Sequence, residues 1–257
     1  MQKKSESNFD NSFSLKSSST NFKKESKMKN AEQQNNQEIS VLELRNYLLK
    51  PKTLNEFEKY FNKHFVIPMT KLGGFTLGQF KINQINDRFV WLRGFTNMKT
   101  RVKFLNDFYV NSSTWQEFGK GANNMMLNSD NVYLLRPLQK STTLDFLHIT
   151  EGIVVVDFYI CNSTLNKVVD LFNTSYIPFL KTLNINEITL WVSEMQENDF
   201  PRLPVFQDKN LLLAITKYKD LAEYKEKQKL INEMDHDLKT LMQELITIQS
   251  DLILEKI

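Results

Sequence analysis

TLNEFEKYFN (53–62) and TLNKVVDLFN (164–173) are nearly the same phrase, set 111 residues apart in one chain. Each opens on a residue suited to cap a helix, and each then carries apolar residues at helical spacing. In the first, Leu54, Phe57, Phe61 and Phe65 form one stripe; in the second, Leu165, Val168, Leu171 and Phe172 do. Further matches follow in order. Ile67-Pro68 answers Ile177-Pro178, Lys71 answers Lys181, and Tyr47 answers Tyr159. Several matches in one order indicate a tandem duplication.

Working outward from the first phrase, 39–49 reads as a strand ended by Pro51, and Thr53 with Glu56 forms a capping-box pattern. Strands are expected at 75–82, 88–95 and 131–137. Helices are expected from Thr96 to about 109, with Thr96 as the cap, and over 114–126. That order is β-α-β-β-α-β, the ferredoxin-like arrangement. The second half repeats it: a strand at 153–160, a helix capped by Ser163 or Thr164, strands at 187–192 and 210–216, a long helical stretch over 219–247, and a short strand at 252–256. The fold class expected is α+β, as two tandem ferredoxin-like repeats, 39–138 and 152–257. Such a sheet carries helices on one face only, and its bare face needs a partner. Two copies packed face to face close into a barrel, so the second phrase builds the second wall.

Composition narrows the function classes. The chain has 257 residues, 41% of them hydrophobic, and a formal net charge of +3, which selects no partner class. One cysteine, Cys161, allows no intrachain disulfide and no cysteine-built zinc site. No apolar run is long enough for a membrane span. Residues 1–38, rich in Ser, Asn, Lys and Gln, read as a disordered tail whose removal leaves stability unchanged.

Four segments carry a resemblance: ELRNYLLKP (43–51), RFVWLRGFTNMKTR (88–101), FYVNSSTW (108–115) and SDNVYLLRP (129–137). They resemble the NIPSNAP family of the dimeric α+β barrel superfamily. NDFPRLPV (198–205) is similar to a loop of two-repeat bacterial members. The resemblance implies the barrel fold and leaves the activity open. The second repeat departs from the pattern where Ala214 and Thr216 stand opposite Trp91 and Arg93.

Alternation puts Glu43, Arg45 and Tyr47 on one face of the first strand and Leu42, Leu44 and Leu48 on the other. The polar face is expected to line the barrel interior, joined by Phe89, Trp91 and Arg93, by Arg136, and by Asp157 and Tyr159 from the other wall. The enclosed arginines need partners, and Glu43 and Asp157 are the candidates. Two readings stay open: the charges satisfy one another, or they hold a small polar or anionic ligand against aromatic walls. Trp191 either walls the second half or packs under its helices.

Two functional expectations follow. The first is a binding module for a small ligand or a protein partner, with no metal, no cofactor and no nucleic acid, in the cytoplasm, and open to pairing as a homodimer. The second is an enzyme, a cofactor-independent monooxygenase or haem-handling protein. Binding ranks above catalysis. No nucleophile-base-acid set is visible, and no histidine falls on the expected inward positions. His64 reads as a core-edge residue.

Overall fold

The structure is a computed structural model, and it describes residues 38–138 and 151–257. The expected tail lies outside the described residues, save Glu38.

Both repeats form as β-α-β-β-α-β units, each helical connection being split in two. In the first, β1 (Val41–Leu49) leads through α1 (Leu54–His64) and α2 (Val66–Lys71) to β2 (Phe75–Ile82) and β3 (Ile85–Phe95). Then come α3 (Met98–Asn106), a π-turn (Asp107–Asn111), α4 (Ser113–Met125), a three-residue β4 (Met126–Asn128) and β5 (Val132–Pro137). In the second, β6 (Ile153–Cys161) is followed by α5 (Leu165–Leu171), a π-turn (Phe172–Tyr176) and α6 (Ile177–Thr182). The chain continues through β7 (Ile188–Ser193), β8 (Leu211–Tyr218), α7 (Leu221–Asn232), α8 (His236–Leu245) and β9 (Ile246–Lys256).

Strand order within the first repeat is β5-β1-β3-β2, and within the second β9-β6-β8-β7. The sheets join at both edges: β5 pairs with β7 at Leu135↔Ser193, and β2 pairs with β9 at Lys81↔Glu255. Eight antiparallel strands therefore close a barrel, and closure removes the exposed edges that would template aggregation. The long strands β1 and β3 pair over eight positions, from Val41↔Phe95 to Leu48↔Arg88.

Three local expectations need correction. Thr53 precedes α1 but caps nothing; its hydroxyl donates to the Lys50 carbonyl at 2.8 Å, because the turn through Lys52 (φ 68°) folds it back. The cap of α3 is Asn97, whose Oδ1 accepts the Thr100 amide at 2.8 Å, one residue beyond Thr96. The long helix expected over 219–247 is broken before α8. Asp235 caps a new helix there by accepting the Asp237 and Leu238 amides, and the chain is a full strand from Ile246.

The central correction concerns the faces. Alternation separates the two faces of each strand correctly, but their assignment is reversed. The barrel interior is the aliphatic face: Leu42, Leu44, Val90 and Leu92 meet Val156, Leu213 and Ile215 of the other repeat, with Trp191 among them. Glu43, Arg45, Tyr47, Phe89, Trp91 and Arg93 point outward, under the helices, where Phe57, Phe61, Phe104 and Phe108 cover them. The pleat has period 2 and is symmetric between faces, so it says nothing about which layer covers which face. Two largely aliphatic sheet faces bury each other with few polar groups between them, Asn46 and Ser193 being the buried exceptions, which leaves the charged faces for the helix layers to complete.

Candidate functional site

The equivalent outer faces of the two repeats differ, and the strand registers give the correspondence. In the first repeat Glu43 is paired with Arg93 and Arg45 with Trp91; in the second Val155 is paired with Thr216 and Asp157 with Ala214. One repeat thus holds a charged cluster and a tryptophan where the other holds a valine, a threonine, an aspartate and an alanine.

The first repeat is filled. The Glu43 carboxylate lies at the centre of three guanidinium groups. Its Oε2 accepts from Arg45 Nη1 at 2.8 Å and from Arg93 Nε at 2.8 Å, and its Oε1 accepts from Arg101 Nε at 2.7 Å. All four side chains are buried. Arg45 Nε donates to the Tyr47 hydroxyl at 2.7 Å, and Arg93 Nη1 to the Tyr109 hydroxyl at 3.0 Å. The surplus positive charge is spread over ring faces: Arg93 sits 4.9 Å from the Phe104 centroid and 5.2 Å from Trp91, and Arg45 sits 5.6 Å from Trp91. Arg101 Nη1 reaches Asn198 Oδ1 at 3.0 Å, so the NDFPRLPV loop of the second repeat docks on the first. Phe206 extends that docking with backbone bonds to Val132 and Leu134.

Burial pushes the Glu43 carboxyl up, but Arg93, Arg45 and Arg101 outweigh it and hold it well below the usual carboxylate range. Glu43 stays ionised and the arginines are engaged with it. Asp157, the other expected partner, is in the second repeat and takes none of them. Arg136 shares the outward face of Leu134 and forms no ion pair among the described residues. Of the expected site residues, the structure therefore brings together Glu43, Arg45, Tyr47, Phe89, Trp91 and Arg93, under helices rather than inside the barrel. Asp157 and Tyr159 form a separate group, and Arg136 joins neither. Arg101 was missed in the sequence. It lies one turn into a helix, and only its position in RFVWLRGFTNMKTR, beside the arginines already singled out, hinted at it.

The space left between the helices and this face is about 30 Å³, lined by rings such as Tyr47, Trp91 and Trp115. That is far below the size of a small-molecule site, roughly 300–1,000 Å³. His64, off to one side, stacks on Phe118 with ring centroids 3.9 Å apart, a packing role.

The same place in the second repeat is open. A cavity of about 420 Å³ lies between β6, β8 and β9 on one side and α7 and α8 on the other. Its floor includes Asp157, Tyr159, Ala214, Thr216 and Tyr218, and its roof includes Ile231 and Met242. Ala214 stands where Trp91 fills the first repeat, so the missing indole accounts for much of the space. The volume is within the range of roughly 300–1,000 Å³ usual for small-molecule sites.

Asp157 points into this cavity with no hydrogen bond or ion pair among the described residues. Burial pushes its carboxyl up to about 7, with the Asp251 carboxylate adding to the rise. Asp251 lies opposite it across the β6–β9 pairing and accepts from the Tyr224 hydroxyl at 3.3 Å. Burial, with the charge of Asp157, likewise drives the Tyr159 and Tyr176 hydroxyls above their ordinary range. No histidine or cysteine lines the cavity. Among the described residues, no group of three His, Cys, Asp or Glu side chains is placed to hold a metal ion. Nor is any helix among them long and apolar enough to cross a membrane.

Eight strands closed from two ferredoxin-like halves, with helices outside, decide the architecture. The fold is a dimeric α+β barrel, made within one chain. Solved structures agree. A candidate monooxygenase from Lactobacillus acidophilus NCFM superposes with a TM-score of 0.52 at 12% identity, covering 85% of this chain and 94% of its own. A haem-binding protein from Thermus thermophilus superposes with a TM-score of 0.52 at 8% identity, covering 85% of this chain and 91% of its own. A NIPSNAP-like domain protein from Burkholderia xenovorans matches at 22% identity with a TM-score of 0.34, over 41% of this chain and 90% of its own. The first two superpositions extend over most of the chain and share its fold. No family model matches the chain. No curated protein matches it either.

Proposed function

We propose that this α+β barrel protein binds a small organic molecule in the cavity of its second repeat, between β6, β8 and the helices α7 and α8. The 420 Å³ space beside Asp157, at the position that Trp91 closes in the first repeat, carries the reading. The first repeat serves as the rigid half. Its Glu43-centred cluster and aromatic layer fix the sheet to which the second repeat is joined at both seams. An anionic ligand held by Arg45 and Arg93 is not supported, because Glu43 occupies both. The binding reading stands ahead of a monooxygenase or haem-handling activity: an unpartnered carboxylate, Asp157, faces an apolar-walled cavity, which suits recognition of a ligand and needs no cofactor. A single cysteine, buried and unpaired, suits a reducing compartment such as the cytoplasm.

Native mass spectrometry of the chain purified from its own host tests the reading. Wild type should carry a small-molecule adduct, and Ala214→Trp should carry none. Equal adducts on both proteins would place any ligand elsewhere.

A further inference from the structure

Asp157 is unusual for what surrounds it. A carboxylate without a partner, facing a cavity lined by tyrosines, is costly unless something completes it. The first repeat shows the completed arrangement: a buried carboxylate there has three guanidinium groups around it. In the second repeat those counter-charges are gone. Thr216 replaces Arg93 in the register, and Arg45 has become Asp157 itself. A second carboxylate, Asp251, lies across from it. Lys239 is the one cationic side chain in the lining, and its ammonium donates to the Asn232 carbonyl at 3.3 Å, at the C-terminal end of α7. The rings of Tyr159, Tyr176 and Tyr218 supply faces of the kind that attract cations.

We infer that the occupant of this cavity is an organic cation, a protonated amine on an apolar body, with its ammonium on Asp157 and its body against Ile231 and Met242. The inference rests on the ligand-binding reading above and adds the charge class of the ligand. The amine supplies the missing positive charge, and the tyrosine rings take its flanks. Burial pushes the Asp157 carboxyl up to about 7, so a proton and the amine compete for it. The groups that face it are Asp251 from β9, Tyr159 and Tyr218 from β6 and β8, Tyr176 from the π-turn after α5, Tyr224 from α7 and Lys239 from α8. Of these, Asp251 is a second carboxylate directly across the strand pairing from it. Amine affinity should therefore rise between pH 6 and pH 8.

Three isosteric probes test this: 2-phenylethylamine, 2-phenylethanol and phenylacetate, titrated calorimetrically at millimolar concentration into wild type, Asp157→Asn and Ala214→Trp. At pH 8 the amine should bind wild type at least tenfold more tightly than the alcohol, and phenylacetate should bind least. Asp157→Asn should remove the preference for the amine, and Ala214→Trp should abolish binding of every probe. If the alcohol matches the amine in wild type while Ala214→Trp still abolishes both, the cavity reading stands and the cation inference is wrong. If phenylacetate binds best, the charge class is the opposite one. If no probe binds, both the inference and the reading beneath it fall.

Discussion

Asp157 and Ala214 face each other across β6 and β8 in the register that holds Arg45 and Trp91 across β1 and β3. A single barrel thus contains one outer face packed to completion and one left open, and the two serve as each other's control. Ala214→Trp should close the open face. Because the indole enters existing space, we expect a change in unfolding free energy within about 1–3 kcal/mol, the range for imperfect filling of a core. Urea unfolding measures it. A much larger loss would mean that the cavity is not present in solution.

The reciprocal change should open the packed face. Trp91 is buried among Tyr47, Phe61 and the Arg45 and Arg93 guanidinium groups. Trp91→Ala should cost about 3–5 kcal/mol, the range for truncating a buried tryptophan. Equilibrium denaturation of the variant checks this, and a loss under 1 kcal/mol would show that the aromatic layer is loose.

The Glu43 cluster makes a sharper demand. Glu43→Gln leaves three buried guanidinium groups facing a neutral amide, and should cost on the order of 3–5 kcal/mol. Arg45→Met removes one of the three donors and should cost about 3 kcal/mol. The sign of the pH effect follows from the direction of the shift. The folded carboxyl is held below its unfolded value, so its contribution is fully present above that value, about pH 4.3. It is lost as pH falls further. Chemical denaturation at a series of pH values should show wild type weakening below about pH 4 with a steeper slope than Glu43→Gln. Parallel slopes would mean that the cluster is solvated.

Asp157 has the opposite sign. Its folded carboxyl is raised to about 7, so the native state binds the proton more tightly than the unfolded chain does. The ligand-free protein should lose stability from this group as pH rises from about 4 to about 7, and level off above. Asp157→Asn should be the more stable protein at pH 8, by about 2–4 kcal/mol, with the difference vanishing near pH 4. Melting the two proteins across this range reads it directly, and a constant difference would contradict the placement of Asp157.

The duplication, the order of elements and the barrel were legible because they rest on repeated patterns: TLN and FN recur, and the strand spacings recur with them. The two strand faces were legible too, because Glu43, Arg45 and Tyr47 alternate with Leu42 and Leu44. Which face turned inward was not. That depends on how Arg101, Phe104 and Tyr109 fold back over the sheet from the helix and π-turn that follow β3, and on an aliphatic face of similar kind in the second repeat. The cavity was hidden for a related reason. Ala214 and Thr216 looked like a loss of the first repeat's features, whereas the space they leave is what the second repeat has and the first lacks.

The central claim is that the second repeat has an open site completed by a cation. A crystal structure of the protein soaked with 2-phenylethylamine tests it most directly. The account predicts density for the amine between β6, β8 and α8, with its nitrogen within hydrogen-bonding distance of Asp157. Density for the amine elsewhere, or a cavity closed by its own side chains, would contradict it.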